Sequence, residues 1–287
     1  NEESYWLAVS VLAVSSVVAS PAALNLVRKR LHAKGHLTEL MDRVMRFNEL
    51  IAIVAFGAIL CVFHRENPEL GGRPTEIEWF VLSIVLGGAL GALFFLFIGN
   101  EHDEDKQFLA LVGIIVFASG LAHSLELSPL LVNLVLGFSL VSLADDQLSQ
   151  EITLALERSA KPMYIVLLIF AGAMATASGL EVWLLAAVYV SSRIVARMVG
   201  GWVASLGLKH RTRWDQGRAF IGHGEVAVAM ALNLMLVFPG KVGQLVSVAI
   251  LTSVLLNEIW SARLLRGLLI DAGDIRHTPK GDGPPSS

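Results

Sequence analysis

Apolar residues run through this chain in long blocks rather than in alternation. Nine blocks are long enough, or nearly so, to read as crossings of a hydrocarbon layer: Tyr5–Val27, Val44–Phe63, Ile77–Ile98, Phe108–Leu125, Pro129–Leu143, Met163–Ala177, Val182–Leu206, Trp214–Phe238 and Val242–Leu265. The fifth and sixth are short. Between the sixth block and the one before it, Leu148, Ile152 and Leu156 recur every four residues, which predicts an amphipathic helix lying along the membrane surface. The pattern therefore predicts an all-α polytopic membrane protein of about nine transmembrane helices.

Polar positions within these blocks carry the chemistry. Asn48 and Glu49 head an otherwise apolar run in the second block, VMRFNELIAIVAFGAILCVF. A carboxylate at membrane depth costs about 2.5–3.5 kcal/mol on insertion scales, so such a residue faces a polar cavity or a partner and often marks an ion path. The bland alternative is a glutamate that ends a helix or snorkels to the headgroups beside Arg46. Two blocks are interrupted. Ser20-Pro21 follows Ser15 and Ser16 in the first, where proline removes a backbone donor, and Gly222-His223-Gly224-Glu225 breaks the eighth. Irregular backbone at this depth survives only where it is buried in protein or lines a wet cavity, and paired broken helices point to a transporter's ion site. For Pro21 an ordinary kink is the alternative. His223 reads either as a pH-reporting group beside Glu225 or as a histidine satisfied by backbone at the break. Arg193 and Arg197 share a helical face in the seventh block. They are permanent cations needing anionic partners, for which Glu49 and Glu225 are the candidates.

Composition and charge fix the setting. With 54% hydrophobic and 16% charged residues and a mean hydropathy of +0.63, the chain is too apolar for a soluble domain of this length. Of 22 basic residues, 17 fall on one side of the predicted crossings, three on the other (Arg65, Arg73 and Lys241) and two inside a crossing. The positive-inside rule makes the basic side cytoplasmic, with the start of this segment outside and its end inside. The link Arg28–Arg46 reads as a solvated helix and turn around Gly35, NEHDEDK (Asn100–Lys106) as an acidic solvated loop, residues 1–270 as the membrane domain and 271–287 as a disordered cytoplasmic tail. Cys61 is a lone cysteine, so no internal disulfide is expected. His123, Asn133 and Asn233 read as inter-helix hydrogen-bonding residues, and Gly87 and Gly91 as a close-packing pair. No metal cluster, nucleophile elbow or phosphate loop is evident in the sequence, which argues against an enzyme and against a cofactor beyond the transported ions. Nucleic acid is not expected as a partner; the bilayer is.

In chain order, the polar motifs resemble the monovalent cation:proton antiporter family of sodium/proton exchangers and potassium efflux antiporters. Ser20-Pro21 falls where members carry Thr-Asp-Pro, and Phe47-Asn48-Glu49-Leu50 where they carry Asn-Asp or Gln-Asp. Leu134–Leu140 (LVLGFSL) resembles the family's glycine-containing segment, and Ile169–Ala173 (IFAGA) its half helix. Arg193-Ile-Val-Ala-Arg197 resembles the basic helix, and Gly222-His-Gly-Glu-Val-Ala the second broken helix. The resemblance implies an inverted-repeat fold with two broken helices, here partial because the family's N-terminal helices are not in this sequence. They are expected either from residues absent here or from another chain, and a homodimer is expected as the family's assembly. It further implies exchange of Na+ or K+ for protons, probed at Glu49 with Asn48 and the Ser20 region as neutral ligands and Arg193 and Arg197 as charge-balancing groups. With Asn48 neutral beside Glu49, one proton per ion and an electroneutral cycle follow. Ser20 where an aspartate is common, and Glu49 where aspartate is usual, leave a non-transporting subunit or a channel as alternative readings.

Overall fold

A computed structural model describes residues 2–33, 35–64, 75–98, 103–144, 146–176, 179–207 and 215–274. Among them every regular element is helical: α1 (Glu2–Val17), α2 (Pro21–Leu31), α3 (His36–Val62), α4 (Glu76–Ile98), α5 (Glu104–Ser124), α6 (Pro129–Leu143), α7 (Asp146–Met174), α8 (Leu180–Gly207), a short 3₁₀ helix (Gln216–Phe220), α9 (Gly224–Val237) and α10 (Lys241–Asp271). The chain is an all-α polytopic membrane protein. Among the described residues, six spans are long and apolar enough to cross a bilayer: α1 with α2, α3, α4, α5, α8 and α10; α6 and α9 are shorter apolar helices.

Local chemistry explains where the helices start. Ser20 and Ser128 each accept a hydrogen bond from an amide of the following helix (Ala22, 3.1 Å; Leu131, 3.4 Å), and each is followed by proline in the first turn. Serine satisfies one of the first-turn amides, and proline lacks the donor that would otherwise be stranded. Asp103 caps α5 through the amides of Asp105 and Lys106, and the Lys106 amide above all holds the Asp103 carboxyl below the usual aspartate range. Part of the acidic stretch expected as a loop is thus a helix start, while Asn100–His102 lie outside the described residues.

Three apolar clusters hold the bundle. One joins α1, α3, α9 and α10 through Leu7, Val11, Phe56, Val228 and Val254. A second joins α4, α5 and α6 through Trp79, Phe94, Leu111 and Leu136. A third gathers the ends of α2, α3 and α10 through Leu24, Met41, Met45, Leu265 and Leu268. Gly87 and Gly91 serve the second cluster: a Cβ on Gly87 would lie 2.5 Å from the Val132 carbonyl oxygen, and one on Gly91 2.5 Å from Ser139 Cβ, so α4 and α6 meet backbone to backbone. The outer surface carries exposed Leu96, Phe97 and Phe138, as a lipid-facing surface should.

Three expectations are corrected. The surface helix and the short sixth crossing are one continuous helix, α7, with Pro162 inside it; Ile152 is buried and Leu156 exposed, and the side chain of Leu148 lies outside the described residues. The second crossing starts earlier, because α3 begins at His36 and its first two turns are the basic link. Asn133 does pair across helices, donating to Ser119 Oγ at 2.8 Å, but His123 is exposed and the buried Asn233 leaves its side-chain oxygen unpaired. Of the tail expected over 271–287, Asp271 ends α10 and Ala272, Gly273 and Asp274 close it, while residues 275–287 lie outside the described residues.

Candidate functional site

The two interruptions meet. Residues 18–20 separate α1 from α2, residues 221–223 separate the 3₁₀ helix from α9, and the Ser20 amide donates to the Gly222 carbonyl oxygen at 3.3 Å. Gly224 has φ +73°, and a Cβ there would collide with the side chain of Ser20, so glycine answers both the left-handed backbone and the close approach. Breaking two helices strands carbonyl groups that would otherwise accept from the next turn.

Those carbonyls are the partners of the arginines. Arg193, 1% exposed, donates to the carbonyl oxygens of Ile221 (2.6 Å), Val18 (2.7 Å) and Gly222 (3.1 Å), reaching both breaks from α8. Arg197, one turn on, donates to Ser16 (2.8 Å), Val17 and Val18 (3.0 Å). The anionic partners expected for these cations, Glu49 and Glu225, make no ion pair with either among the described residues. The physical reason is that the end of a helix presents outward carbonyls and a partial negative charge, which serve a guanidinium as well as a carboxylate does and lie closer.

His223 is fully buried at the same crossing and does not contact Glu225 by any hydrogen bond. Its Nε2 lies 2.8 Å from the Ser15 carbonyl oxygen. A carbonyl only accepts, so Nε2 carries the proton, and in a neutral ring Nδ1 then accepts from Ser253 Oγ (3.1 Å), which in turn accepts from Asn257 Nδ2 (2.9 Å). Tyr189 shares a hydrogen bond with Ser15 Oγ at 2.8 Å. The histidine is thus satisfied at the break, the second of its two sequence readings. Tyr189, Ser253 and Asn257 were missed in the sequence; the available signal was that Tyr189 sits one turn before Arg193 on the same helical face.

Glu49 lies elsewhere on this core, on α3, which packs against α1 and α9. Its residue is partly buried, and its Oε1 is shut from solvent and has no hydrogen-bond partner among the described residues. The charged groups acting on it are Glu225 on α9 and the Asp42–Arg46 pair (3.0 Å) on its own helix, with Arg193 absent from that set. Asn48 is half-buried beside it, and Glu225 is exposed in the first turn of α9. Glu225 also acts on Glu258 of α10 and Tyr164 of α7, so carboxylates from three helices face one region. Neither Glu258 nor Tyr164 was singled out in the sequence. Ser20 is 2% exposed, with its hydroxyl accepting from Ala22. No group of three or more metal-ligating side chains forms among the described residues.

Two broken helices held together at their interruptions inside a helical membrane bundle are the architecture of a secondary transporter. The chain belongs to the sodium/hydrogen exchanger family: the model described as "Sodium/hydrogen exchanger, transmembrane" matches residues 4–267. No curated protein matches it. Cation:proton exchange is the activity of that family, which is one of transporters rather than enzymes.

Proposed function

We propose that this protein exchanges one monovalent cation, Na+ or K+, for one proton at Glu49. The observation that carries the reading is the Glu49 Oε1 atom, buried and with no donor. A buried carboxylate oxygen without a partner is completed either by its own proton or by a cation, and one carboxylate cannot hold both. That exclusion is the coupling. Asn48 offers a neutral amide oxygen next to it, a hard oxygen ligand for an alkali ion, while the Ser20 hydroxyl keeps one lone pair at the crossing of the two breaks. Arg193 and Arg197 act in this reading by neutralising the carbonyl ends of α1 and the 3₁₀ helix, which keeps the crossing rigid while the carboxylate changes occupant. We place the protein in the cell inner membrane, and the sorting of Lys and Arg supports an orientation with the start of α1 outside and the end of α10 cytoplasmic.

The test is Glu49→Gln in proteoliposomes. The amide is nearly isosteric, so the melting temperature should hold while dye-monitored, cation-driven proton flux falls to the level of empty liposomes. Flux that persists would refute the role of Glu49.

A further inference from the structure

The helix that carries Glu49 begins without a cap of its own. Gly35 occupies the capping position of α3 and has no side chain to offer the first-turn amides. The missing group comes from the opposite end of the chain. Asp274 Oδ2 accepts from the Thr38 amide (2.8 Å) and from Thr38 Oγ1 (2.7 Å), across 236 residues of sequence. Its carboxylate occupies the space a Cβ on Gly35 would need.

The way α10 ends delivers this carboxylate. Gly273 adopts φ +80°, its amide donates to the Ile270 carbonyl (3.0 Å), and the Asp274 amide donates to the Leu269 carbonyl (3.1 Å). This is the paired-bond glycine termination of a helix, and it turns the chain so that the next residue points off the axis. The carboxylate then lies at the positive end of α3, where a negative charge is favoured. Beneath it, Leu37 and Met41 of α3 pack with Leu265, Leu268 and Leu269 of α10, so the polar clasp closes over an apolar contact.

We infer that Asp274 is a positioning residue: it fastens the end of α10 to the start of α3 and thereby sets where α3 holds Glu49, about 20 Å further along the same helix. The inference rests on the reading of Glu49 as the exchange site. With the clasp cut, α3 samples additional positions, and only the fraction in the clasped position binds the cation well. Apparent affinity falls by that fraction, while saturating cation draws the population back.

Asp274→Ala in the full chain, reconstituted in proteoliposomes, should therefore raise the cation KM about fivefold, the size of a lost cap, and change kcat less than about twofold. Asp274→Asn keeps an acceptor for Thr38 and should bring KM back to within about twofold of the parent. A lowered melting temperature with KM unchanged would mean a structural cap and nothing more, and would overturn the inference. The double variant Gly35→Asp with Asp274→Ala places an acceptor on α3 itself without the link to α10. It should recover the melting temperature and keep KM high; recovery of KM would show that local capping suffices and overturn the clasp. Should the alanine variant fail to fold, Thr38→Val removes one of the two donors in a similar shape, and a raised or unchanged KM decides in the same way. Failure of the parent protein to exchange would sink the Glu49 reading separately. The clasp would then be judged by hydrogen exchange at residues 47–51 in Asp274→Ala, with faster exchange upholding it and unchanged exchange refuting it.

Discussion

Removing Arg193 would take from the Ile221 carbonyl its donor and leave the Val18 and Gly222 carbonyls with one donor each, Arg197 and the Ser20 amide. An unsatisfied buried polar group costs about 1–3 kcal/mol, and the losses overlap, so Arg193→Ala should lower stability by about 1–3 kcal/mol, read as a drop in the melting temperature in detergent. Arg193→Lys keeps the charge but loses the planar fork that reaches both breaks, and should fall in between. Arg197→Ala should cost less, because its bonds to Ser16, Val17 and Val18 are partly open to replacement by other donors. Equal and negligible losses from both variants would show that the crossing does not depend on them. At this scale the sequence shows which residues are costly to bury but not what they bond. Arg193 and Arg197 needed partners, and the two carboxylates nearest in kind were the wrong ones, since carbonyl oxygens exist at every residue and leave no mark in the sequence.

Between elements, the tightest test lies where α4 meets α6. Gly87→Val would drive side-chain carbons into the Val132 carbonyl and Val135, and overpacking of this sort costs about 1–3 kcal/mol. Gly88, whose Cβ would meet only Ser139 Oγ at 3.9 Å, is the control: Gly88→Ala should leave the melting temperature nearly unchanged. A similar response from both glycines would mean that the backbone contact is not what joins these helices. The Gly-x-x-x-Gly spacing was legible, although its partner, α6, was not. Boundaries were read less well. Hydropathy reports the solvent a segment faces, so it marked where α3 turns apolar at Val44 rather than where the helix begins at His36, and it divided α7 at the point where its surroundings change.

Across the whole molecule, one apolar cluster is built mainly on α1, α3, α9 and α10, and another mainly on α4, α5 and α6, with Cys61 of α3 joining the second. Such a division suits exchange in which the helices around the crossing move as a unit against the rest. In the exchange proposed above, with Glu49 carrying either the cation or the proton and Asn48 neutral beside it, a full cycle moves no net charge. A net elementary charge crossing the membrane would feel about 2.3 kcal/mol per 100 mV, so the exchange rate should stay flat as the proteoliposome potential is varied over that range. A steep dependence would contradict one-for-one exchange.

From the chain alone came the membrane class, the nine apolar segments, the positions of both interruptions and the acid at the head of the second segment. Each follows from composition and hydropathy over a window shorter than a helix, and such properties are local to the chain. Only the tertiary structure decided that the interruptions touch through Ser20 and Gly222, that the arginines bond to carbonyls, and that Asp274 closes the start of α3. Those pairings join residues up to 236 positions apart through backbone groups common to every residue and through the space a glycine leaves, and only the packed arrangement of the helices brings them within reach.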